Sequence, residues 1–444
     1  MLDNPSWAFQ RDSLGNFIGG ALKVSTYGNA EPPRDFDAWA NYLKEVMNFL
    51  VKTYGQQKIV QIQFGIGREI GTEGHWKGTK EQFFEFYKKS VTAIQEVLPE
   101  VKIGSHFLWG SSTKSWAADF VKYCKTNNVQ YDFVGVSYYP FYHQAARTNF
   151  TEVYNKDFGI IKDIPEWNKN AKFEIHEFAL IESMSSAGNS YVSASAKHQN
   201  SFLVGLMKMF YDNNMQNLNQ WGTGTQYMPA STEILKMKGN IYFKSTKSGT
   251  QQSSGNYVGA MFTNDTINKQ YNIMAYNYNA SPTSNVTENL NIKATIDVPP
   301  GSVIKYRSAI YNNSDNTLPW SGWQNATTVG TEGAKSTFSF NTQLPVFSFL
   351  KYEVVVTQIA NPSSINAVAE VQKFSIYPNP VKNTLQIKGG DIASLNLYSI
   401  HGVELVKMHN YNSILDVSTL NRGFYLLDIV ETNGQISNLK FLKN

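Results

Sequence analysis

Two strand-like segments of this chain run out into glutamate. Residues 58–66 (KIVQIQFGI) alternate apolar and polar side chains and continue as Gly67-Arg68-Glu69-Ile70-Gly71-Thr72-Glu73. Residues 173–180 lie within KFEIHEFALIES and carry Glu174 and Glu177, with Glu182 beyond the strand. A carboxylic acid and a carboxylate from two strands can act on one acetal carbon, the first protonating the leaving oxygen and the second attacking. Retention of configuration needs the pair roughly 5–5.5 Å apart. Unequal surroundings, one apolar and one rich in donors, keep one group protonated and the other ionised. Strand alternation sends Glu174 and Glu177 to opposite faces, because three residues is an odd step. Glu177 is therefore the candidate on the second strand.

Other chemistries find little support. His75, His106 and His176 fall near strand ends, but no HExxH or His-x-His spacing joins them, so neither metal nor cofactor is expected. Gly65-Ile66-Gly67 with Gly71 does not complete G-x-G-x-x-G, and no G-x-S-x-G elbow is present. The single cysteine, Cys124, allows no internal disulfide and is expected as a buried thiol on a helix. With 39 basic against 35 acidic residues the charge is too even for a nucleic-acid footprint. No run of 18 apolar residues suggests a membrane span. At 42% hydrophobic the chain is not disordered. The aromatic share of 14% suits stacked sugar rings as well as large β-rich cores.

The elements that would position these groups alternate. A helix is predicted over 35–54, with Trp39, Tyr42, Leu43, Val46 and Leu50 on one face after Pro32-Pro33 and Asp35. Strands are expected at 58–66, 102–108, 131–139, 173–180 and 217–221, and helices at 81–98, 116–126 and 194–211. That rhythm argues for a parallel α/β sheet or barrel, whose sites lie at the C-terminal strand ends. Beyond about residue 225 the pattern becomes short Tyr-, Val- and Ile-rich runs between Asn, Ser, Gly and Pro clusters, as in an antiparallel sandwich. Four segments follow: 1–225, an α/β barrel; 226–357, an accessory β-sandwich; 358–373, a polar linker; and 374–444, a second all-β module.

The last module contains Tyr377-Pro378-Asn379-Pro380, a Tyr398–Gly402 turn region, Gly423-Phe424-Tyr425 and a terminal Lys440-Phe441-Leu442-Lys443. In that order these pieces resemble the type A sorting domain of the Bacteroidetes type IX secretion system, a small Ig-like β-sandwich. The resemblance implies recognition by the type IX machinery and a secreted or cell-surface protein. The opening MLDNPSWAFQRDSLGNF lacks the basic start and apolar run of a leader, which is then expected upstream of Met1.

Residues 32–221 resemble the later part of a clan A glycoside hydrolase barrel, nearest to family 39. That family has a Tyr-Gly, a strand ending Phe-Glu-Val-Trp-Asn-Glu-Pro and a tryptophan seven residues after the glutamate. Here stand Tyr54-Gly55, then Phe64-Gly65-Ile66-Gly67-Arg68-Glu69-Ile70, then Trp76. The resemblance makes Glu69 the acid/base; a second register, over Glu69-Ile70-Gly71-Thr72-Glu73, makes it Glu73. Apolar alternation ends near Ile66, which puts Glu69 nearer the strand mouth. Either register replaces the asparagine that binds the sugar 2-hydroxyl, by Arg68 or by Thr72.

Ile175-His176-Glu177-Phe178 resembles the strand that bears the nucleophile, assigning that role to Glu177. Residues 132–140 (DFVGVSYYP) are similar to the galactanase segment with Ser-Tyr-Tyr-Pro, so Tyr139 would touch the nucleophile, and Ser137 stands where others have histidine. Trp221, Trp76 and Trp109 are the implied sugar platforms, and Tyr138 and Arg68 the further substrate contacts. Only 68 residues precede Glu69, so a partial (β/α)8 barrel lacking its first strands is expected. The implied function is a secreted retaining glycoside hydrolase acting on a plant- or algal-type polysaccharide or oligosaccharide, with xylan-, galactan- and glucan-like sugars all open. The alternative, motivated by Arg68 and the missing strands, is a non-catalytic cell-surface carbohydrate-binding protein derived from a glycosidase.

Overall fold

The computed structural model describes residues 24–25, 28–72, 74–108, 114–140, 147–181, 183–185, 188–190, 193–221, 229–249, 255–299, 302–332, 335–358, 374–399, 404–409, 414–432 and 436–444. Contacts divide the chain into two units, Met1–Ile359 and Ala360–Asn444.

Asp35 starts helix α1 (Phe36–Tyr54) by accepting the amide protons of Asp37 and Ala38, and Gly55, at φ 85°, closes it. Trp39, Leu43 and Met47 form its buried stripe at four-residue spacing. A helical turn at Gln56–Ile59 follows, and strand β1 runs Gln63–Ile70. The strand thus starts and ends later than alternation suggests, because a short apolar run does not distinguish a turn from a strand.

Next come α2 (Lys80–Val97), opened by a capping box between Thr79 and Gln82, and β2 (Lys102–Leu108). The series continues with α3 (Lys114–Asn127), β3 (Phe133–Tyr138), helical turns over 150–162, β4 (Lys172–Phe178), α4 (Ser193–Asp212) and β5 (Gln216–Gln220). The five strands are parallel and lie in sequential order, each bonded to the next. A doubly wound sheet reverses its order midway; sequential order is how the wall of a (β/α) barrel is built.

The two faces differ in chemistry. Towards the helices the sheet presents Ile103, Phe107, Val134, Val136, Phe173 and Phe178, which pack with Phe83, Phe120 and Phe202 in one core. Cys124 sits in that core, 1% exposed. The other face carries His106, Ser137, Glu174 and His176, linked by hydrogen bonds and ring contacts. Gly135 makes room on it: a Cβ there would meet the His176 ring at 2.3 Å.

After helix α5 (Ala230–Leu235) the chain forms an antiparallel sandwich. It contains β6 (Asn256–Asp265), β7 (Gln270–Asn279), β8 (Glu288–Asp297), β9 (Ser302–Ile310), β10 (Lys335–Leu344) and β11 (Ser348–Gln358). The larger sheet has the order Ile241–Phe243, β6, β7, β11, β9, Gln324–Asn325; β8, β10 and Thr328–Glu332 form the smaller. Tyr276, Tyr278 and Phe349 from the larger sheet enter the same core as α4. The sandwich is therefore packed into the α/β part rather than hung from it.

A buried ion pair fastens the same junction. Lys351 on β11 is 1% exposed and gives a 2.6 Å hydrogen bond to Glu233 on α5. Burial alone would raise the Glu233 carboxyl, but hydrogen bonds and charge from Lys236 and Lys351 outweigh it and hold it below the usual range.

The second unit is two facing antiparallel sheets. One contains β12 (Phe374–Tyr377), β13 (Thr384–Gly389) and β16 (Ile414–Asp416); the other contains β14 (Ile392–Ser399), β15 (Glu404–His409), β17 (Gly423–Glu431) and β18 (Ile436–Lys443). Phe374, Leu385, Leu395, Leu427 and Phe441 fill the space between them.

The Glu233–Lys351 pair yields a stability prediction. Lys351→Met removes the buried cation and leaves Glu233 paired with Lys236 at 2.6 Å, so it is expected to cost less than Glu233→Ala, which leaves the ammonium only Glu353 at 3.8 Å. The latter should cost about 3–5 kcal/mol, measured by denaturant unfolding of the full chain.

Candidate active site

Glu69 reaches the mouth of the sheet through a bulge. Ile66 pairs with Ser105 and Ile70 with Phe107, so Gly67, Arg68 and Glu69 oppose the single residue His106. The detour needs a glycine: Gly67 has φ 77°, and a Cβ on it would lie 2.8 Å from the Ile70 side chain. Glu69 itself adopts φ 48°, a left-handed conformation that costs a non-glycine residue about 1–3 kcal/mol and is tolerated where geometry matters more than stability.

A second bulge turns Glu177. Val136 pairs with Ile175 but Ser137 pairs with Glu177, leaving His176 as the extra residue. This corrects the expectation that Glu174 and Glu177 face opposite ways, since the bulge shifts the alternation by one. Glu174 and His176 bond to each other at 2.9 Å on the inner face, Glu177 joins them there, and Phe178 returns to the helix side. Glu174 is 1% exposed and also accepts from Asn217 at 2.7 Å, which makes it an internal anchor of β4 and β5.

The two mouth carboxylates occupy unequal surroundings and feel each other. Glu69 is 13% exposed and takes a 2.9 Å bond from His75 Nε2 to Oε2. Burial pushes the Glu69 carboxyl up, but hydrogen bonds from His75 and Ser137 and the field of His75 pull it below its ordinary value. Glu177 moves the other way, raised first by burial and then by the charge of Glu69. Opposing that rise are the Tyr139 hydroxyl, which donates to Glu177 Oε2 at 2.9 Å, and the nearby Arg68 and His75. The Tyr139 phenol is driven well above its usual value by burial and by both carboxylates, so it remains a donor. His106, pushed down to about 3 chiefly by burial and by His176, is neutral in its 2.9 Å contact with Ser137.

The structure brings Glu69, Arg68, Glu177 and Tyr139 together, with Trp221 beside them. The Trp221 ring stands edge-on to Tyr139 at 6.3 Å, and the Trp221 backbone amide donates to the Phe178 carbonyl at 2.9 Å. Leu108, Ala179 and Ile181 complete an apolar patch with these two rings.

Two expected substrate contacts are corrected. Trp76 is 3% exposed, packs against Phe83 and Phe86 and donates its indole N–H to the Thr79 carbonyl, so it offers no platform. Tyr138 is 1% exposed on the helix side, bonded to Asp157 at 2.9 Å, because alternation after Ser137 points it away from the mouth. Glu73 and Trp109 lie outside the described residues. Sequence reasoning missed His75 and Ser137 as partners of Glu69. Their signal was the set of histidines near strand ends, which fits no metal spacing but does fit carboxylate partners.

Residues 16–172 match the family model for glycosyl hydrolases family 39, and residues 375–444 match that for the secretion system C-terminal sorting domain. An α-1,4-L-rhamnosidase of Formosa agariphila is 58% identical over 356 residues, covering 80% of this chain and 73% of that protein. The chain belongs to glycosyl hydrolase family 39.

Solved structures share the fold. The chain superimposes on a glucosidase from Croceicoccus marinus with a TM-score of 0.51 at 14% identity, covering 75% of this chain and 76% of that one. A monomeric β-xylosidase from Caulobacter crescentus also gives a TM-score of 0.51 at 14% identity, over 76% of this chain and 78% of that one. This family 39 chain is a glycosidase, and its sorting domain marks it for secretion or the cell surface. Among the described residues no helix is long and apolar enough to cross a membrane.

Tyr139→Phe isolates the bond to Glu177. Losing a hydrogen bond to a charged group worth about 1.5–3 kcal/mol should lower kcat/KM about 10–100-fold. It should also raise the Glu177 carboxyl further and move the active pH range upward, read from kcat/KM against pH.

Proposed function

We propose that the chain hydrolyses α-L-rhamnosides with retention of configuration, Glu69 acting as acid/base and Glu177 as nucleophile. The observation that carries this reading is the coupled pair itself: two carboxylates delivered by bulges from separate strands, one bonded to His75 and the other to Tyr139. In the first step Glu177 bonds to the anomeric carbon while Glu69 gives its proton to the departing oxygen. In the second, water attacks that carbon, Glu69 takes a proton from the water, and the bond to Glu177 breaks. Tyr139 holds the nucleophile in place through both steps.

The sugar follows from the relative and from two features of the site. An α-1,4-L-rhamnosidase is 58% identical across both the α/β part and the sandwich. Rhamnose carries an axial 2-hydroxyl, whereas xylose, glucose and galactose carry an equatorial one. An asparagine placed for the equatorial group would miss it, which fits the presence of Arg68 at that position. Rhamnose also ends in a methyl group instead of a hydroxymethyl. The apolar patch of Leu108, Ala179 and Ile181 with the Tyr139 and Trp221 rings suits that methyl. In this reading residues 1–225 hold the reaction, 226–357 brace it, 358–373 link it to the last module, and 374–444 engage the type IX machinery.

The active form needs the proton on Glu69, while the ligand-free site favours it on Glu177. Both arrangements hold one proton, so both rise and fall together with pH, and the active range is the range in which the pair is singly protonated.

The test compares 4-nitrophenyl α-L-rhamnoside with the β-D-xyloside and follows the first sugar released by proton NMR. The rhamnoside should be preferred and the α anomer should appear first. Glu177→Gln should reduce kcat by about ten-thousand-fold or more. Preference for the xyloside overturns the substrate, and first appearance of the β anomer overturns the mechanism.

A further inference from the structure

The segment after β1 folds back so that one side chain is planted on Glu69. The Thr72 carbonyl accepts the amide protons of both His75, at 3.1 Å, and Trp76, at 2.8 Å. Trp76 is locked in the core between Phe83 and Phe86, with its indole bonded to the Thr79 carbonyl at 3.0 Å. The Lys77 amide bonds to the Ala30 carbonyl at 2.8 Å, pinning the far side of the turn. With Trp76 immobile, its neighbour His75 has little freedom, and its ring is 3% exposed. That ring lies 2.9 Å from Glu69 Oε2.

We propose that His75 is a positioning residue for the acid/base: its Nε2–H holds Oε2 of Glu69, reserves the other oxygen for the substrate's proton, and helps to set the pH range of hydrolysis. The inference rests on the proposed role of Glu69. A carboxylate at the mouth of a sheet has two interchangeable oxygens and a rotatable end, whereas proton transfer needs one oxygen aimed at the leaving group. A misplacement of about 1 Å costs on the order of a hundredfold. A donor fixed to one oxygen removes that freedom in the acid and the carboxylate forms alike, because the carbonyl oxygen of the acid accepts the same bond.

The electrostatic consequence has a definite sign. Glu69 is faced by His75 from its own loop, Arg68 from its own strand, His106 from β2, Ser137 and Tyr139 from β3 and its end, and Glu177 from β4. A donor bond stabilises the ionised form, so removing His75 raises the Glu69 carboxyl. For two coupled acids the midpoint between the two macroscopic values equals the mean along either microscopic path. It therefore rises by half of the summed rises at Glu69 and at Glu177, whose carboxyl His75 also lowers, whichever group holds the shared proton.

The experiment reads both quantities in the full chain. The Glu69 carboxyl carbon is followed by 13C NMR titration and assigned by comparison with Glu69→Gln. In His75→Phe or His75→Met, which keep bulk and lose the donor, Glu69 should titrate about one pH unit higher. The midpoint of kcat/KM against pH on the rhamnoside should rise by at least about half as much, since Glu177 also loses the field of His75. His75→Gln retains an N–H donor and should move both by less than half of that. An unchanged Glu69 titration in folded His75→Phe overturns the proposal. If neither apolar variant folds, the 15N resonance of His75 Nε2 in the unaltered chain must follow the Glu69 titration and lose that inflection in Glu69→Gln; a flat response overturns it equally. Absence of rhamnoside turnover in the unaltered chain would refute the substrate alone, since the NMR titration needs no sugar.

Discussion

The burial of two neighbouring carboxylates governs this site. Burial makes both Glu69 and Glu177 harder to ionise, and the Glu69 charge adds to the rise at Glu177, so donors must compensate. Their distribution is uneven. His75 and Ser137 serve Glu69, and Tyr139 and the field of Arg68 serve Glu177. Behind them runs a second polar layer, from His106 through its ring contact with His176 to Glu174 and Asn217. That layer puts polar groups inside a sheet whose other face is Ile, Val and Phe, and each of its bonds offsets a desolvation that would otherwise destabilise the fold.

The bulges are what let a regular sheet carry such a cluster. A flat parallel strand alternates strictly, and neither β1 nor β4 could then deliver an acidic side chain to the mouth while keeping its apolar residues against the helices. Adding His176 to β4 lets Glu174, His176 and Glu177 all face inward while Ile175 and Phe178 stay in the core. Three residues against one in β1 do the same for Glu69, and Gly67 supplies the backbone freedom. Strained φ at Glu69 is the cost of that aim, and the surrounding core sustains it.

These devices explain what could and could not be read from the sequence. Helix α1 was legible because Asp35, the four-residue spacing of Trp39, Leu43 and Met47, and Gly55 all act locally. The bounds of β2 were legible as well, since Lys102–Leu108 is a regular strand. The paired glutamates were legible as types at strand ends. Bulges were not, because an inserted residue leaves no mark on composition and only the neighbouring strand reveals the register. For that reason β1 was expected to stop at Ile66, and Glu174 and Glu177 were expected to diverge. Trp76 misled for a related reason: a tryptophan near a strand end can stack on a sugar or anchor a loop, and only its contacts with Phe83 and Phe86 distinguish the two.

The anchoring role of Trp76 connects the core to the chemistry. Its indole is held by the same α2 aromatics that pack against Phe107 of β2, so the loop bearing His75 is referenced to the sheet that bears Glu69. Across the sheet, Trp221 is tied to the Phe178 carbonyl, one residue past Glu177. Glu69 is thus registered to the hydrophobic layer through Trp76, seven residues on, and Glu177 through the adjacent Phe178. The layer extends through α4 into Tyr276, Tyr278 and Phe349 of the sandwich. Phe202 of α4 stacks on Phe178 of β4 and meets Tyr278 of the sandwich edge-on, so one run of rings leads from the sandwich to the strand that bears Glu177.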